Sequence, residues 1–152
     1  MVGIKHGLWL AMVAVAGCSS SRSATSVPDT QSLTRTVDAT ASRIVAATSA
    51  VFAERQISVA SADETRGEVV SVPLDPNGQW GDVAPADRVT CPEAGAGDPN
   101  ARLVLKLRVK SENNRSVVGL EAKRDGGPSC VLRGNFLSQL LDAIVARSRT
   151  GS

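Results

Sequence analysis

The stretch from Ala101 to Arg124 constrains the fold more than any other part of the chain. Leu103, Leu105, Leu107 and Val109 alternate with Lys106, Arg108 and Lys110. A period of two places one set on each face of a β-strand. Glu112-Asn113-Asn114-Arg115 reads as a turn, and Val118, Leu120 and Ala122 then resume the alternation up to Arg124. Two such runs joined by a short polar turn predict an antiparallel hairpin with one dry face and one wet face. The dry face must be covered, and amphipathic helices are the usual cover.

Two segments have that character. Leu33, Val37, Ala41, Ile44, Thr48 and Val51 recur at spacings of three and four, with Val45 and Phe52 widening the stripe. This predicts a first helix over residues 29–55, capped by Asp29 or Ser32, with Pro28 just outside. Phe136, Leu137, Leu140, Leu141, Ile144 and Val145 predict a last helix from Gly134-Asn135 to about Arg149. Asn135 suits its N-cap, and Arg147 and Arg149 suit its C-terminal end. Between the helices, residues 56–61 and 68–74 alternate around a turn at 62–67, with Val70, Val72 and Leu74 expected inward. Residues 75–100 hold four prolines and four glycines, and read as a long irregular connection with a short strand near Val89. The expected fold is α+β: an antiparallel sheet of about four strands, helix-strand-strand-loop-strand-strand-helix, with both helices on one face.

The N-terminus carries a different kind of signal. Lys5 and His6 precede an apolar run from Gly7 to Ala16. That run is shorter than the roughly 20 residues needed to span a bilayer, but has the length of a signal-peptide apolar region. Val15-Ala16-Gly17-Cys18 follows directly and resembles a bacterial lipobox. The resemblance implies cleavage before Cys18 and a diacylglycerol on its thiol. The competing reading is an ordinary secretory signal with a coincidental cysteine. Ser19, in place of aspartate, implies by the same resemblance an outer-membrane destination facing the periplasm. The chain then divides into a signal (1–17), a lipidated polar tether (18–29) and one domain (30–150). The order of elements, together with the lipobox, resembles the small helix-grip domains of envelope lipoproteins, such as the C component of the outer-membrane barrel-assembly machinery. That likeness implies an accessory or assembly role by contact and carries over no functional residue.

Two cysteines remain beside Cys18. Cys91 and Cys130 form an even pair in an exported chain, which predicts one disulfide, the alternative being two buried thiols. The loop they would close stabilises the domain by roughly 3–4 kcal/mol on the chain-entropy model.

The full chain has 17 basic and 15 acidic side chains, and Lys5 leaves with the signal. So even a balance makes no electrostatic case for nucleic acid. The single histidine, His6, is also lost with the signal. Without imidazole, Ser-His-Asp and Cys-His catalysis and histidine-bearing zinc sites are excluded. No phosphate-binding glycine loop is present, and no cofactor or metal is expected.

Asp75, Asp82, Asp87, Glu93 and Asp98 could serve a hydrolase, but they also suit a solvated loop. Trp80 has two readings: a contact hot spot for a partner, or a cap on the edge of an aliphatic core. Lys106, Arg108 and Lys110 form a basic row that would meet an anionic surface, or else stay solvated beside Glu121. These observations predict a non-enzymatic lipoprotein that binds an envelope protein. The second reading is a binding module for a lipid or cell-wall ligand.

Overall fold

The computed structural model describes residues 30–91, 99–112, 115–127 and 130–150. The fold is α+β. Strand β1 (Thr30–Val37) leads into helix α1 (Ala41–Glu54). Strands β2 (Val59–Asp63) and β3 (Glu68–Ser71) form the next hairpin. A short helix α2 (Pro85–Arg88) runs into β4 (Val89–Thr90). The long hairpin follows as β5 (Leu103–Glu112) and β6 (Arg115–Arg124), then β7 (Val131–Leu132) and helix α3 (Gly134–Thr150).

The main sheet has five strands in the order β1-β6-β5-β3-β2, antiparallel at every step. The fifth strand is β1, which replaces the first part of the helix expected over residues 29–55. Leu33, Val37 and Ala41 are spaced by four, and four is a multiple of two as well as nearly one helical turn. Thr30, Ser32, Thr34 and Thr36 fill the alternate positions, and β-branched threonine favours the pleated strand. The helix starts only after the bend at Asp38. Its cap is Thr40, whose Oγ1 accepts a hydrogen bond from Arg43 N at 3.4 Å.

The phase of β3 also differs from expectation. Val69 and Ser71 are buried, whereas Val70 faces outward and Val72 is 40% exposed. Adjacent valines leave the phase open in the sequence. The turn at Gly67, with φ +63°, fixes the pairing of Asp63 with Glu68 and so the face on which each valine falls. Leu74 is buried as expected and bridges to Leu103.

Both long helices lie on the same face of the sheet. Ile44, Val51 and Phe52 of α1 and Phe136, Leu137, Leu140, Leu141 and Ile144 of α3 meet Leu105, Leu107, Val118 and Leu120 of the sheet. All of these are 3% exposed or less. The buried hydroxyls are satisfied locally: Thr48 Oγ1 donates to Ile44 O at 2.7 Å, and Ser71 Oγ accepts from Leu105 N at 2.9 Å.

In the long connection after Asp75, the short strand expected near Val89 is present as β4, and α2, which was not expected, precedes it. Strand β4 pairs with β7 as Val89 with Leu132 and Thr90 with Val131. Cys91 and Cys130 occupy the next positions of that ladder and are joined by a disulfide, with their Cα atoms 4.2 Å apart.

Candidate functional site

The outer face of the sheet is assembled mainly from alternate residues of four of its strands. Strand β1 contributes Thr30, Ser32, Thr34 and Thr36, and β6 contributes Val117, Gly119, Glu121 and Lys123. Strand β5 adds Val104, Lys106, Arg108 and Lys110, and β3 adds Glu68 and Val70. Among the described residues, no helix covers this face.

Register decides the electrostatics here. Lys106 lies opposite Glu121, and Arg108 opposite Glu68. Lys106 Nζ approaches Glu68 Oε1 at 2.9 Å, Arg108 Nε approaches Glu68 Oε2 at 3.3 Å, and Arg108 Nη1 reaches Glu121 Oε1 at 4.0 Å. The hydrogen bond from Lys106 holds the Glu68 carboxyl below its ordinary value; desolvation opposes this, and Arg108 reinforces it. Two members of the basic row are thus engaged with acids on the same face. Only Lys110 lacks an ion-pair partner among the described residues. The row is a mixed-charge ladder, not a uniformly positive surface.

Gly119 opens a hollow of about 220 Å³ in the middle of this ladder, lined by Thr34, Arg108, Lys110, Val117 and Glu121. A Cβ built on Gly119 would meet only Thr34 Cγ2 at 3.8 Å and the Arg108 carbonyl at 3.9 Å. The glycine is therefore not demanded by crowding. Its effect is to bare the strand backbone between charged side chains. The alternating pattern of β6 gives no sequence signal for this gap beyond the glycine itself.

Trp80 occupies a different environment from the contact role considered for it. It is 2% exposed, and its ring centroid lies 6.0 Å from that of Phe136. Its Nε1 donates to Asp75 O at 3.0 Å. The contact reading of Trp80 is corrected accordingly: the side chain belongs to the core, because an aromatic-poor interior uses it to close the gap between the loop and α3.

Arg88, which the sequence did not single out, stacks over that ring with its guanidinium carbon 4.7 Å from the centroid. It is fully buried. Its Nη1 donates to Val83 O at 3.0 Å, its Nη2 donates to Gly78 O, and its Nε has no partner. Burial lowers the pKa of Arg88, while the charge of Asp75 works the other way. The side chain binds two turns of the loop together from beneath.

Three of the five loop acids fall among the described residues. Asp82 and Asp87 are exposed, and Asp75 accepts from Asn77 N at 2.9 Å within its own turn. Glu93 and Asp98 lie outside the described residues, as does Cys18.

Comparison with known proteins adds little to this picture. No family model matches the chain, and no curated protein matches it. Among solved structures, Ara h 8.0201 aligns with 80% of this chain and 98% of its own, at 10% identity and a TM-score of 0.38. TTHA0849 from Thermus thermophilus aligns with 81% of this chain and 99% of its own, at 12% identity and a TM-score of 0.38. The Zhui aromatase/cyclase from a Streptomyces species covers 79% of this chain and 86% of its own, at 19% identity and a TM-score of 0.31. Likeness at this level carries no inference about ligand or activity.

Proposed function

We propose that this chain is an envelope lipoprotein, held to a membrane through a lipid on Cys18, whose domain acts by contact with another protein. The contact surface is the open face of the sheet around Gly119, in place of the Trp80 loop. The observation that carries this reading is the one-sided packing of α1 and α3. It leaves a five-stranded face with a bared backbone notch and a fixed pattern of opposite charges. Such a pattern selects partners by charge complementarity more than by affinity. A lipid anchor raises the effective concentration of envelope partners, so a modest interface is sufficient.

A module for a small lipid or cell-wall ligand would need a cavity between helices and sheet. That space is filled by Ile44, Phe52, Leu105, Leu107, Leu120 and Leu141.

The test uses the full chain in the cells that make it. A photo-crosslinking residue at Val117 should trap a discrete partner, whereas one at Gln139, exposed on α3, should not. Adding Arg108→Glu to the Val117 chain should abolish the product while export continues. Cys18→Ser should remove fatty-acid labelling. A product that survives Arg108→Glu, or one equally strong from Gln139, overturns the surface assignment. Label that persists on Cys18→Ser overturns the anchor.

A further inference from the structure

The strand that follows the tether begins at one end of the sheet, and the pairing shows what else is gathered there. Thr30, the first residue of β1, lies opposite Lys123. Lys123 lies opposite Val104, and Arg124 opposite Leu103. Arg102 joins the same end through the turn beyond β6: its N–H donates to Gly126 O at 3.4 Å, and its carbonyl accepts from Asp125 N at 2.9 Å.

Arg133 is brought in by the neighbouring residue. Leu132 exchanges two hydrogen bonds with the side chain of Gln31, each 2.8 Å long. The N-terminus of α3 opens at Gly134, immediately after it, and its dipole adds to the positive potential. Val72 and Pro73, both exposed, leave β3 beside Val104 at the same end.

This cluster differs from the row on the outer face. Lys106 and Arg108 are held by Glu68. Arg102, Lys123 and Arg133 form no ion pair with a described residue; Arg102 donates instead to the carbonyls of Pro99 and Ala101, both at 2.7 Å. The described acids near this end are Asp125 and Asp75, both exposed, and Glu121, two residues before Lys123 on the same face and 4.0 Å from Arg108 Nη1.

Residues 19–29 join Cys18 to this end, and a chain of that length reaches at most about 40 Å. A lipid on Cys18 would therefore hold the basic end within reach of the headgroups, while the outer face around Gly119 would stand roughly upright on the membrane. Basic side chains beside small exposed apolar groups suit an anionic phospholipid surface.

We infer that Arg102, Lys123, Arg124 and Arg133, with Val72 and Pro73, form a docking surface for anionic phospholipid headgroups that orients the anchored domain. The inference rests on the lipid anchor proposed above.

Amine acylation followed by mass spectrometry provides the test. The lipidated full-length chain is reconstituted into vesicles of phosphatidylcholine alone, or of phosphatidylcholine mixed with phosphatidylglycerol. Flotation with both kinds of vesicle reports the anchor. Acylation of Lys123 should slow by about fivefold on the phosphatidylglycerol vesicles, while Lys110, near the other end of β5, reacts equally on both. The difference should vanish in about 1 M salt, where the Debye length is about 3 Å. Arg133→Glu, an exposed substitution, should shrink the protection of Lys123 without changing flotation. Equal reactivity of Lys123 on both floating vesicle types, or protection of Lys110 in its place, overturns the docking surface and leaves the anchor standing. Failure to float with phosphatidylcholine overturns both.

Discussion

Gln31 and Leu132 bond to each other as two strand residues would, although one contributes its side chain. Gln31 Nε2 donates to Leu132 O and Gln31 Oε1 accepts from Leu132 N, both at 2.8 Å. The side-chain amide thus substitutes for a peptide group and joins the main sheet to the small β4–β7 pair. Arg35, four residues on and on the same side of β1, continues the connection to α3: it reaches Asp142 Oδ1 and Ser138 Oγ, each at 3.1 Å.

Gln31→Ala should therefore destabilise the domain by about 1–3 kcal/mol, since it orphans a donor and an acceptor of a buried residue. Gln31→Glu should do nearly as much at neutral pH, because a carboxylate cannot donate to Leu132 O. Urea denaturation of the three proteins checks both values; a Glu variant as stable as the parent would contradict the two-bond account.

Trp80→Ala removes a buried ring together with the surface on which Arg88 stacks. The expected loss is about 3–5 kcal/mol. Trp80→Phe should recover part of it, as the ring is kept but the bond to Asp75 O is not. Thermal unfolding followed by far-ultraviolet circular dichroism separates the variants. A Trp80→Ala protein with unchanged stability would return the side chain to the surface.

Reduction of the Cys91–Cys130 bond frees a loop with a sequence separation of 39. The chain-entropy model assigns about 4 kcal/mol to such a loop. For a domain of this size that lowers the melting temperature by roughly ten degrees or more. Calorimetry with and without reductant gives the difference, and thiol counting under denaturing conditions without reductant should find neither sulfur reactive.

Glu68 makes stability depend on pH in one direction. Its folded pKa lies below the ordinary value of 4.5, so the contribution of its ion pairs is complete above that value in the unfolded chain. It is lost as pH falls through the depressed folded value. Glu68→Gln should flatten the acid limb of the stability curve while changing stability near neutrality by at most about 1 kcal/mol, as expected of half-exposed pairs. Denaturant midpoints measured from neutral pH down to about pH 3 test this. An acid limb of unchanged slope would show that other carboxylates govern it.

The β5–β6 hairpin and α3 were legible in the sequence because pattern and polarity agree there. Leu103, Leu105 and Leu107 leave one assignment of faces once Lys106 and Arg108 stand between them, and the stripe of α3 from Phe136 to Val145 fits only the helical period. Strand β1 was not legible, since Leu33 and Val37 satisfy both periods and the deciding partner, β6, lies far along the chain. Val69 and Val70 left the phase of β3 open because the two valines are adjacent and each has a polar neighbour, Glu68 or Ser71, so either could face inward.

The candidate site shows the same division. Lys106, Arg108 and Lys110 were visible as a row, but the engagement of Lys106 and Arg108 by Glu68 depends on strand pairing, across 40 residues for Arg108. Trp80 was visible as a lone large aromatic, but its burial depends on Arg88 and Phe136, which the loop and the disulfide bring to it.

The position of β1 bears on how the chain must come together in time. Among the described residues its one ladder is with β6, and the other edge of that strand pairs with β5. A chain made from its N-terminus onward must carry Thr30–Val37 without a partner until Arg115–Arg124 has followed. During that interval the threonine-rich strand is an open edge, and a second copy at the same stage offers the same edge to it. The spacing of growing chains relative to one another then becomes part of what decides whether β1 pairs with the β6 of its own chain or with that of a neighbour.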